Sequence, residues 1–181
     1  KMKIDNFFEN FLKKESLFLD RKVLSSNYEP NEVVFREEQI REVANILAPA
    51  LRVEKPSNLF IYGKTGTGKT LSMKYVLKSM IQIAQKNNIS IKPIYINCKL
   101  KKVADTEYRL IAQLIKEFGQ EVPATGLPTD EVYSLFYQLL DRQKNIVLLV
   151  LDEIDQLTKK VGDEILYNLT RINSELTRSQ I

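Results

Sequence analysis

Two short stretches of this chain carry residue types that could do chemistry on a phosphate group. The first is GKTGTGKT at residues 63–70, where three of the chain's 6 glycines fall within a few positions of one another. It fits the spacing G-x-x-x-x-G-K-[ST], in which glycines let the backbone turn tightly and approach an anion closely. Successive backbone N–H groups would then point into one concavity and hold the anion. The pattern predicts a nucleotide phosphate site, with a glycine-rich turn that binds nothing as the alternative.

The residues of this loop have separate expected roles. Lys69 would reach the β- and γ-phosphates as a point charge, and the Thr70 hydroxyl would ligate Mg²⁺. A helix that begins at this point would add the positive end of its dipole. The residues expected to contact the nucleotide run from the first glycine into that helix: Gly63, Lys64, Thr65, Gly66, Thr67, Gly68, Lys69, Thr70 and Leu71.

The second stretch is LDEID at residues 151–155, directly after an apolar run. Asp152 would lie at the carboxyl end of a strand, where α/β folds bind ligands, and suits an outer partner of Mg²⁺. Glu153 could orient, or take a proton from, a water molecule that attacks the γ-phosphate. We therefore predict catalytic roles for Glu153, Lys69 and Asp152. A helix N-cap is the alternative for Asp152 and Glu153, while Asp155 is equally compatible with a cap and with site support.

Composition excludes several other kinds of chemistry. The chain has no histidine, which removes His-based acid–base catalysis and most transition-metal sites, and its one cysteine, Cys98, allows no internal disulfide. No Asn-Lys-x-Asp motif is present, so adenine is expected by exclusion and the cofactors are ATP or ADP with Mg²⁺. The longest apolar run, Ile146–Leu151, is far shorter than a membrane span. We expect a cytoplasmic protein with no membrane partner.

Charge is distributed unevenly along the chain. Residues 1–100 carry 17 Lys and Arg against 10 Asp and Glu, a net charge of +7, while residues 101–181 carry 10 against 13, or −3. A basic first half favours a polyanionic partner, and an ordinary surface with solvated lysines is the alternative.

The two stretches must be positioned by strands that alternate with helices. Apolar runs predict strands at Leu59–Tyr62, Ile91–Asn97 and Ile146–Leu151, with Pro93 arguing for an edge or a strand start in the second. Helices are predicted at residues 4–19, 35–51, 69–85, 106–118, 130–143 (with Thr129 as N-cap) and 161–176. This alternation indicates an α/β fold with a parallel sheet.

Taken together, these motifs resemble a known family. The segments VVFREEQIREVANILAPALRVEKPSNLFIYGKTGTGKT, KPIYINC, TEYRLIAQLIKEFG, LDEID and ILYNLTRINSEL are similar to the AAA+ ATPase domain of archaeal origin-recognition and cell-division-cycle replication initiators. The resemblance implies a P-loop NTPase fold, with an AAA+ parallel sheet sandwiched by helices. It also implies a replication initiator that binds origin duplex DNA, hydrolyses ATP slowly as a conformational switch, and recruits the replicative helicase. Another initiator subunit is a further candidate partner, and a nucleoid-associated location follows.

The resemblance also assigns residues that spacing does not identify. The segment near Val33 would lie close to the adenine and ribose, which makes Tyr28, Val33, Phe35 and Arg36 candidate base contacts. The family's DNA-touching insert corresponds to residues 99–129, where basic side chains would neutralise phosphates and a loop would probe a groove. Its candidate DNA contacts are Lys99, Lys101, Lys102, Thr125, Gly126 and Leu127. An ordinary surface loop is the alternative for this segment.

Two other functions remain open at this stage. A protein-remodelling or signalling AAA+ ATPase without nucleic-acid binding would keep the same phosphate-site residues. A P-loop kinase would need an acceptor pocket, which the sequence does not reveal, and would not need Glu153.

The resemblance predicts how the chain divides. Residues 1–22 would form an N-terminal helical extension, and residues 23–181 an AAA+ domain cut before its sensor-1 strand, without the lid and winged-helix domains. In that family the sensor-1 strand lies between the strands that carry the two motifs. The sheet would therefore be incomplete without later strands, and Leu59–Tyr62 would lack a hydrogen-bonding neighbour within these 181 residues.

Overall fold

The computed structural model describes residues 36–99, 104, 106–123, 126–142 and 145–181, all of which belong to one compact unit. The helix predicted at residues 4–19 and the proposed extension at residues 1–22 lie outside the described residues. No helix in these described ranges is long and apolar enough to cross a membrane.

Helices and strands alternate as the sequence predicts. In chain order they are α1 (Glu37–Leu47), a 3-10 turn (Ala48–Arg52), α2 (Lys69–Lys86), β1 (Ile91–Asn97), α3 (Glu107–Glu117), α4 (Thr129–Leu140), β2 (Ile146–Asp152), α5 (Ile154–Val161), α6 (Glu164–Arg171) and a 3-10 turn (Ile172–Ser174).

The two strands pair in parallel, with register running from Ile91 opposite Ile146 to Asn97 opposite Asp152. The predicted bounds of β1 are confirmed, and β2 extends one residue further than predicted, to Asp152. Pro93 is exposed in β1 and pairs with β2 on one side only among the described residues, as expected of a proline on an edge strand. The parallel α/β fold predicted from the alternation is therefore confirmed.

The sheet separates two hydrophobic clusters. On one face, Ile94 and Ile96 of β1 and Val147 of β2 pack against helices α3 and α4 and the helices that follow β2. On the other face, Ile146 and Leu148 pack against α1 and α2. Successive side chains of a strand point to opposite faces, so a strand buried on both sides is apolar at every position. This explains the IVLL run in β2.

The strand predicted at Leu59–Tyr62 is not formed in the described residues, and the segment has no hydrogen-bonding neighbour there, as the family resemblance predicted. The sheet of the described residues contains only β1 and β2, and residues 59–62 are irregular. Leu59 and Ile61 still pack against the cluster on the α2 face, but Phe60 and Tyr62 are 70% and 84% exposed. An apolar run becomes a strand only when a neighbour accepts its backbone hydrogen bonds, and none of the described residues does so here.

Three predicted helix boundaries also need correction. The helix predicted at residues 35–51 is α-helical only to Leu47 and continues as a 3-10 turn that contains Pro49. Helix α4 begins at Thr129 and ends at Leu140, and its N-cap position is Pro128, so Thr129 is not the cap. The helix predicted at residues 161–176 is shorter: α6 begins at Glu164 and ends at Arg171, followed by the 3-10 turn to Ser174. Helix α5, which ends at Val161, was not predicted. Gly162, at φ +88°, ends α5 in a conformation that favours glycine.

The last residues pair with the second edge of β2. The Val147 N–H donates to the Gln180 carbonyl at 2.8 Å, whereas the Ile146 N–H donates to Ser90 on the β1 side. Consecutive N–H groups of a strand point in opposite directions, so Gln180 lies on the edge of β2 away from β1. The bridge between Ile146 and Gln180 is parallel. This is the edge at which the family resemblance predicts the sensor-1 strand.

Asp141 holds the turn that leads to Gln180. Its carboxylate accepts hydrogen bonds from the Thr177 hydroxyl and from the N–H groups of Thr177, Arg178 and Ser179. These hydrogen bonds, that of the Thr177 hydroxyl foremost, lower the pKa of Asp141 from its ordinary value. The charged carboxylate therefore stabilises this turn.

We expect Asp141→Asn to destabilise the chain at pH 7 and to destabilise it much less at pH 2. The folded-state pKa lies well below the unfolded value of about 3.9, so the stabilisation is fully present above that value and is lost only as pH falls through the folded-state pKa. Urea unfolding followed by circular dichroism across this pH range measures the effect. Asp163→Asn is the matched control, since Asp163 makes no side-chain cap at the start of α6. An equal loss of stability at both pH values would contradict the assignment.

Candidate functional site

The glycine-rich loop connects residues 59–62 to the first turn of α2. Gly66 and Gly68 have φ of +80° and +77°, in the left-handed region that favours glycine. A Cβ on Gly66 would meet nothing within 4 Å, so its backbone conformation, not crowding, calls for glycine there. Residues 63–66 are exposed and residues 67–71 are half-buried, so the loop is exposed to solvent at its start and partly buried where it enters the helix.

Lys69 lies across this loop. Its ammonium donates to the carbonyls of Gly63 and Lys64 at 2.8 and 3.0 Å. The Thr67 hydroxyl donates to the same Lys64 carbonyl at 2.8 Å. These contacts hold a positive charge beside the first α2 residues, whose N–H groups carry the positive end of the helix dipole. The arrangement suits an anion with several negative oxygens.

Asp152 lies at the carboxyl end of β2 and contacts the first turn of α2. The Thr70 hydroxyl donates to Asp152 Oδ2 at 2.8 Å, across 82 residues of sequence. The Glu153 N–H donates to Asp152 Oδ1 at 3.0 Å. The structure therefore brings together the two stretches that the sequence analysis singled out.

A third residue at this carboxylate was missed in the sequence. The Tyr95 hydroxyl also donates to Asp152 Oδ2. Tyr95 lies opposite Val150 in the β1–β2 register, on the face that packs against α2, and Lys74 Nζ lies 5.5 Å from the centroid of its ring. Burial, followed by the hydrogen bond to Asp152, raises the pKa of Tyr95, so its hydroxyl remains a donor. Only the pairing register of β1 and β2 places Tyr95 near Asp152, and that register cannot be read from the sequence.

Glu153 follows Asp152 in an uncommon backbone conformation, with φ +55° and ψ +34°. A residue other than glycine in this region costs on the order of 1–3 kcal/mol, and such residues cluster at functional sites. Within the described part of the chain no side-chain hydrogen bond or ion pair of Glu153 is formed, and the residue is half-buried. Its carboxylate is therefore available to a water molecule or a ligand.

Two nearby groups have structural roles. The Asp155 carboxylate accepts hydrogen bonds from Lys159, at 2.9 Å, and from Gln156 on its own helix. These contacts lower the pKa of Asp155, and the bond from Lys159 has the largest effect. It is not the N-cap of α5, because Glu153 occupies that position. Cys98 is buried, and burial, with the charge of Asp152 second, raises its pKa to about 11. Its thiol therefore stays neutral at physiological pH and is a poor nucleophile.

Arg36 is the described member of the predicted base-contact group. A Cβ built on Gly68 would lie 3.2 Å from Arg36 Nε, so this side chain lies directly against the loop. Tyr28, Val33 and Phe35 lie outside the described residues, and their predicted contacts stay predictions.

The predicted DNA contacts are only partly described. Lys99, directly after β1, and Gly126 and Leu127, before α4, are exposed. Lys101, Lys102 and Thr125 lie outside the described residues. Among the residues that are described, no hydrogen bond or ion pair joins Lys99 to Gly126 or Leu127, so these exposed positions remain separate candidates.

The oxygen atoms around Thr70 and Asp152 fit a hard divalent cation. A hydroxyl and a carboxylate are ligands that Mg²⁺ prefers, and they already lie within 2.8 Å of each other. Within the described ranges, no three Asp, Glu, His or Cys side chains gather into a metal site. Mg²⁺ is commonly held by one or two protein groups together with substrate phosphates, and the donor set here is of that kind.

Comparison with known proteins agrees with this geometry. Residues 52–180 match the family model described as AAA domain. The chain is 47% identical, over 98% of its length, to the ORC1-type DNA replication protein of Pyrococcus abyssi, of which it covers 43%. It is 44% identical, over 98% of its length, to ORC1-type DNA replication protein 1 of Methanosarcina mazei, of which it covers 42%.

A solved structure also matches this chain. The Aeropyrum pernix ORC1 protein, solved in complex with DNA, matches 90% of this chain with a TM-score of 0.80 and 42% identity, and 42% of that protein is covered. The fold is therefore the α/β P-loop NTPase fold expected from the sequence. The chain spans less than half the length of the curated relatives described above. It belongs to the AAA domain family and is similar over nearly all of its length to archaeal ORC1-type DNA replication proteins.

Proposed function

We propose that this chain is the nucleotide-binding and ATP-hydrolysing part of a DNA replication initiator. The observation that carries the proposal is the 2.8 Å hydrogen bond between the Thr70 hydroxyl and Asp152. It joins the glycine-rich loop to the acidic end of β2, which is the pairing that a magnesium nucleotide requires. The loop and Lys69 would bind the phosphates, and Thr70 and Asp152 would hold Mg²⁺, which would supply positive charge to offset that of the phosphates.

Hydrolysis would depend on Glu153. Its carboxylate, free of hydrogen bonds to described residues, would orient a water molecule and take its proton as the water attacks the γ-phosphate. Lys69 stabilises the charge that develops on the transferred phosphoryl group. The products are ADP and phosphate. We propose slow turnover, so that ATP and ADP mark two conformational states rather than power continuous work.

Duplex origin DNA is the proposed macromolecular partner. The Aeropyrum pernix ORC1 protein, 42% identical over most of this chain, was solved in complex with DNA. Residues 1–100 of this chain carry a net charge of +7, and Lys99 is exposed at the start of the candidate insert. Within the longer initiator, the nucleotide state would govern recruitment of the replicative helicase and association with another initiator subunit, at the nucleoid.

DNA binding across a salt series tests this partner. Fluorescence anisotropy with a labelled origin-like duplex and a random duplex, with ADP bound, gives the affinity at each salt concentration. If Lys99, Lys101 and Lys102 each neutralise one phosphate, affinity falls about 40-fold between 50 and 200 mM salt. Replacing all three with alanine is expected to flatten this dependence.

The matched control replaces Lys78, Lys86 and Lys160, which are exposed lysines elsewhere on the chain. The control removes the same charge, so it should retain most of the salt dependence. Tight nucleotide binding with no affinity for either duplex would contradict the initiator proposal. A protein-directed AAA+ ATPase would then replace it.

A further inference from the structure

The Asp152 carboxylate receives hydrogen bonds from three different elements. Thr70 donates from α2 and Tyr95 from β1, both to Oδ2, while the N–H of Glu153 donates to Oδ1. A carboxylate oxygen has two lone pairs. Oδ2 is therefore fully used by the two hydroxyls, whereas Oδ1 keeps one lone pair free.

We propose that Tyr95 is a positioning residue that orients Asp152 so that Oδ1 faces Mg²⁺ or its bound water. This inference rests on the proposed function, because it assumes that a magnesium nucleotide binds at Thr70 and Asp152. Without the Tyr95 hydroxyl, Oδ2 would lose one of two donors, and the carboxylate could rotate to offer either oxygen. The preferred orientation would then have to be restored each time the ion binds.

The surroundings of Tyr95 keep its hydroxyl in place. Its ring lies on β1 opposite Val150, which packs against the hydrophobic cluster on the α2 face, and the Lys74 ammonium lies 5.5 Å from the ring centroid. A half-buried ring on a paired strand, covered by the Lys74 ammonium, holds its hydroxyl with limited conformational freedom. Such a donor orients its acceptor more strictly than a solvent-exposed side chain would.

Tyr95→Phe separates this role from a purely structural one. We expect the variant to need about tenfold more Mg²⁺ before the effect of Mg²⁺ on ADP affinity is half-maximal. This is the change expected from the loss of one hydrogen bond to a charged group. ADP affinity in EDTA should be unchanged, because the loop and Lys69 bind phosphates without the metal. A fluorescent ADP analogue, titrated into the 181-residue chain at a series of Mg²⁺ concentrations, measures both quantities.

Tyr133→Phe is the matched control. Tyr133 is buried, and its hydroxyl donates to the Glu107 carboxylate at 2.6 Å, away from the glycine-rich loop. Its removal should lower the urea midpoint of unfolding and leave the Mg²⁺ dependence unchanged. A double-mutant cycle adds a second test: once Asp152→Asn has been introduced, Tyr95→Phe should have no further effect on the Mg²⁺ midpoint.

Three outcomes would overturn the inference. An unchanged or lowered Mg²⁺ midpoint in Tyr95→Phe would show that the hydroxyl is unnecessary to the ion or competes with it. Loss of ADP binding in EDTA would assign the hydroxyl to the fold of the loop. Additive effects in the cycle would separate Tyr95 from Asp152. Failure of the proposed function is read independently, on the unsubstituted chain, as an absence of Mg²⁺-dependent nucleotide binding.

Discussion

Lys69→Ala is expected to weaken ATP binding at least about 100-fold. The ammonium lies across the loop, 2.8 Å from the Gly63 carbonyl and 3.0 Å from that of Lys64. A bound nucleotide would offer it charged phosphate oxygens instead, and hydrogen bonds to charged groups contribute about 1.5–3 kcal/mol each. Two such bonds lost together exceed the 2.7 kcal/mol or so that a 100-fold change requires. Anisotropy of a fluorescent ATP analogue measures the affinity directly.

Lys78→Ala is the control for this experiment. Lys78 lies on the same helix, α2, and its side chain is exposed, so the substitution removes the same charge at a distance from the loop. Its ATP affinity should match that of the parent chain. Because Lys69 also bonds to loop carbonyls, urea unfolding of both variants shows whether the fold is kept. An unchanged ATP affinity in a folded Lys69→Ala chain would refute the phosphate-site assignment.

The local part of the site could be predicted from the sequence. The glycine spacing predicted that a helix begins directly after the loop. Helix α2 begins at Lys69, with Gly68 in its N-cap position. The apolar run before Asp152 likewise predicted a strand, because burial on both faces requires apolar residues at every position. Both features depend on residues close together in the sequence, so spacing alone carries the information.

The non-local part could not be predicted. Tyr95 reaches Asp152 only because β1 and β2 pair in a register that sets Asn97 opposite Asp152, and no local pattern encodes that register. Leu59–Tyr62 is a different case, because the family resemblance predicted that this strand would lack a hydrogen-bonding neighbour within these residues. Its apolar residues fit a strand, and Ile61 packs against the core, but strand formation depends on a neighbouring backbone. The omission of α5 was avoidable, since Gly162 marks a helix end and the residues before it could have been assigned to a helix that stops there.

Glu153→Gln is expected to leave ATP affinity unchanged and to reduce the hydrolysis rate roughly 100-fold or more, the usual contribution of a general base. Glutamine keeps the shape of the side chain and can still contact water, but it cannot take a proton. The backbone at Glu153, with φ +55°, is the same for both residues, so the strain at this position is retained. Single-turnover phosphate release, with the chain in excess over ATP, measures the rate even where turnover is slow.

Two controls make the result specific to Glu153. Glu164→Gln removes an exposed carboxylate in the first turn of α6, and Asp155→Asn removes one that bonds to Lys159. Both should hydrolyse ATP at the parent rate.

If Glu153→Gln also kept the parent rate, another group would have to activate the water. The Glu153 carboxylate would then serve the nucleotide site in some role other than proton transfer. A loss of both binding and turnover would instead mean that the negative charge of Glu153 supports Asp152 and the ion, because glutamine preserves its size and its backbone.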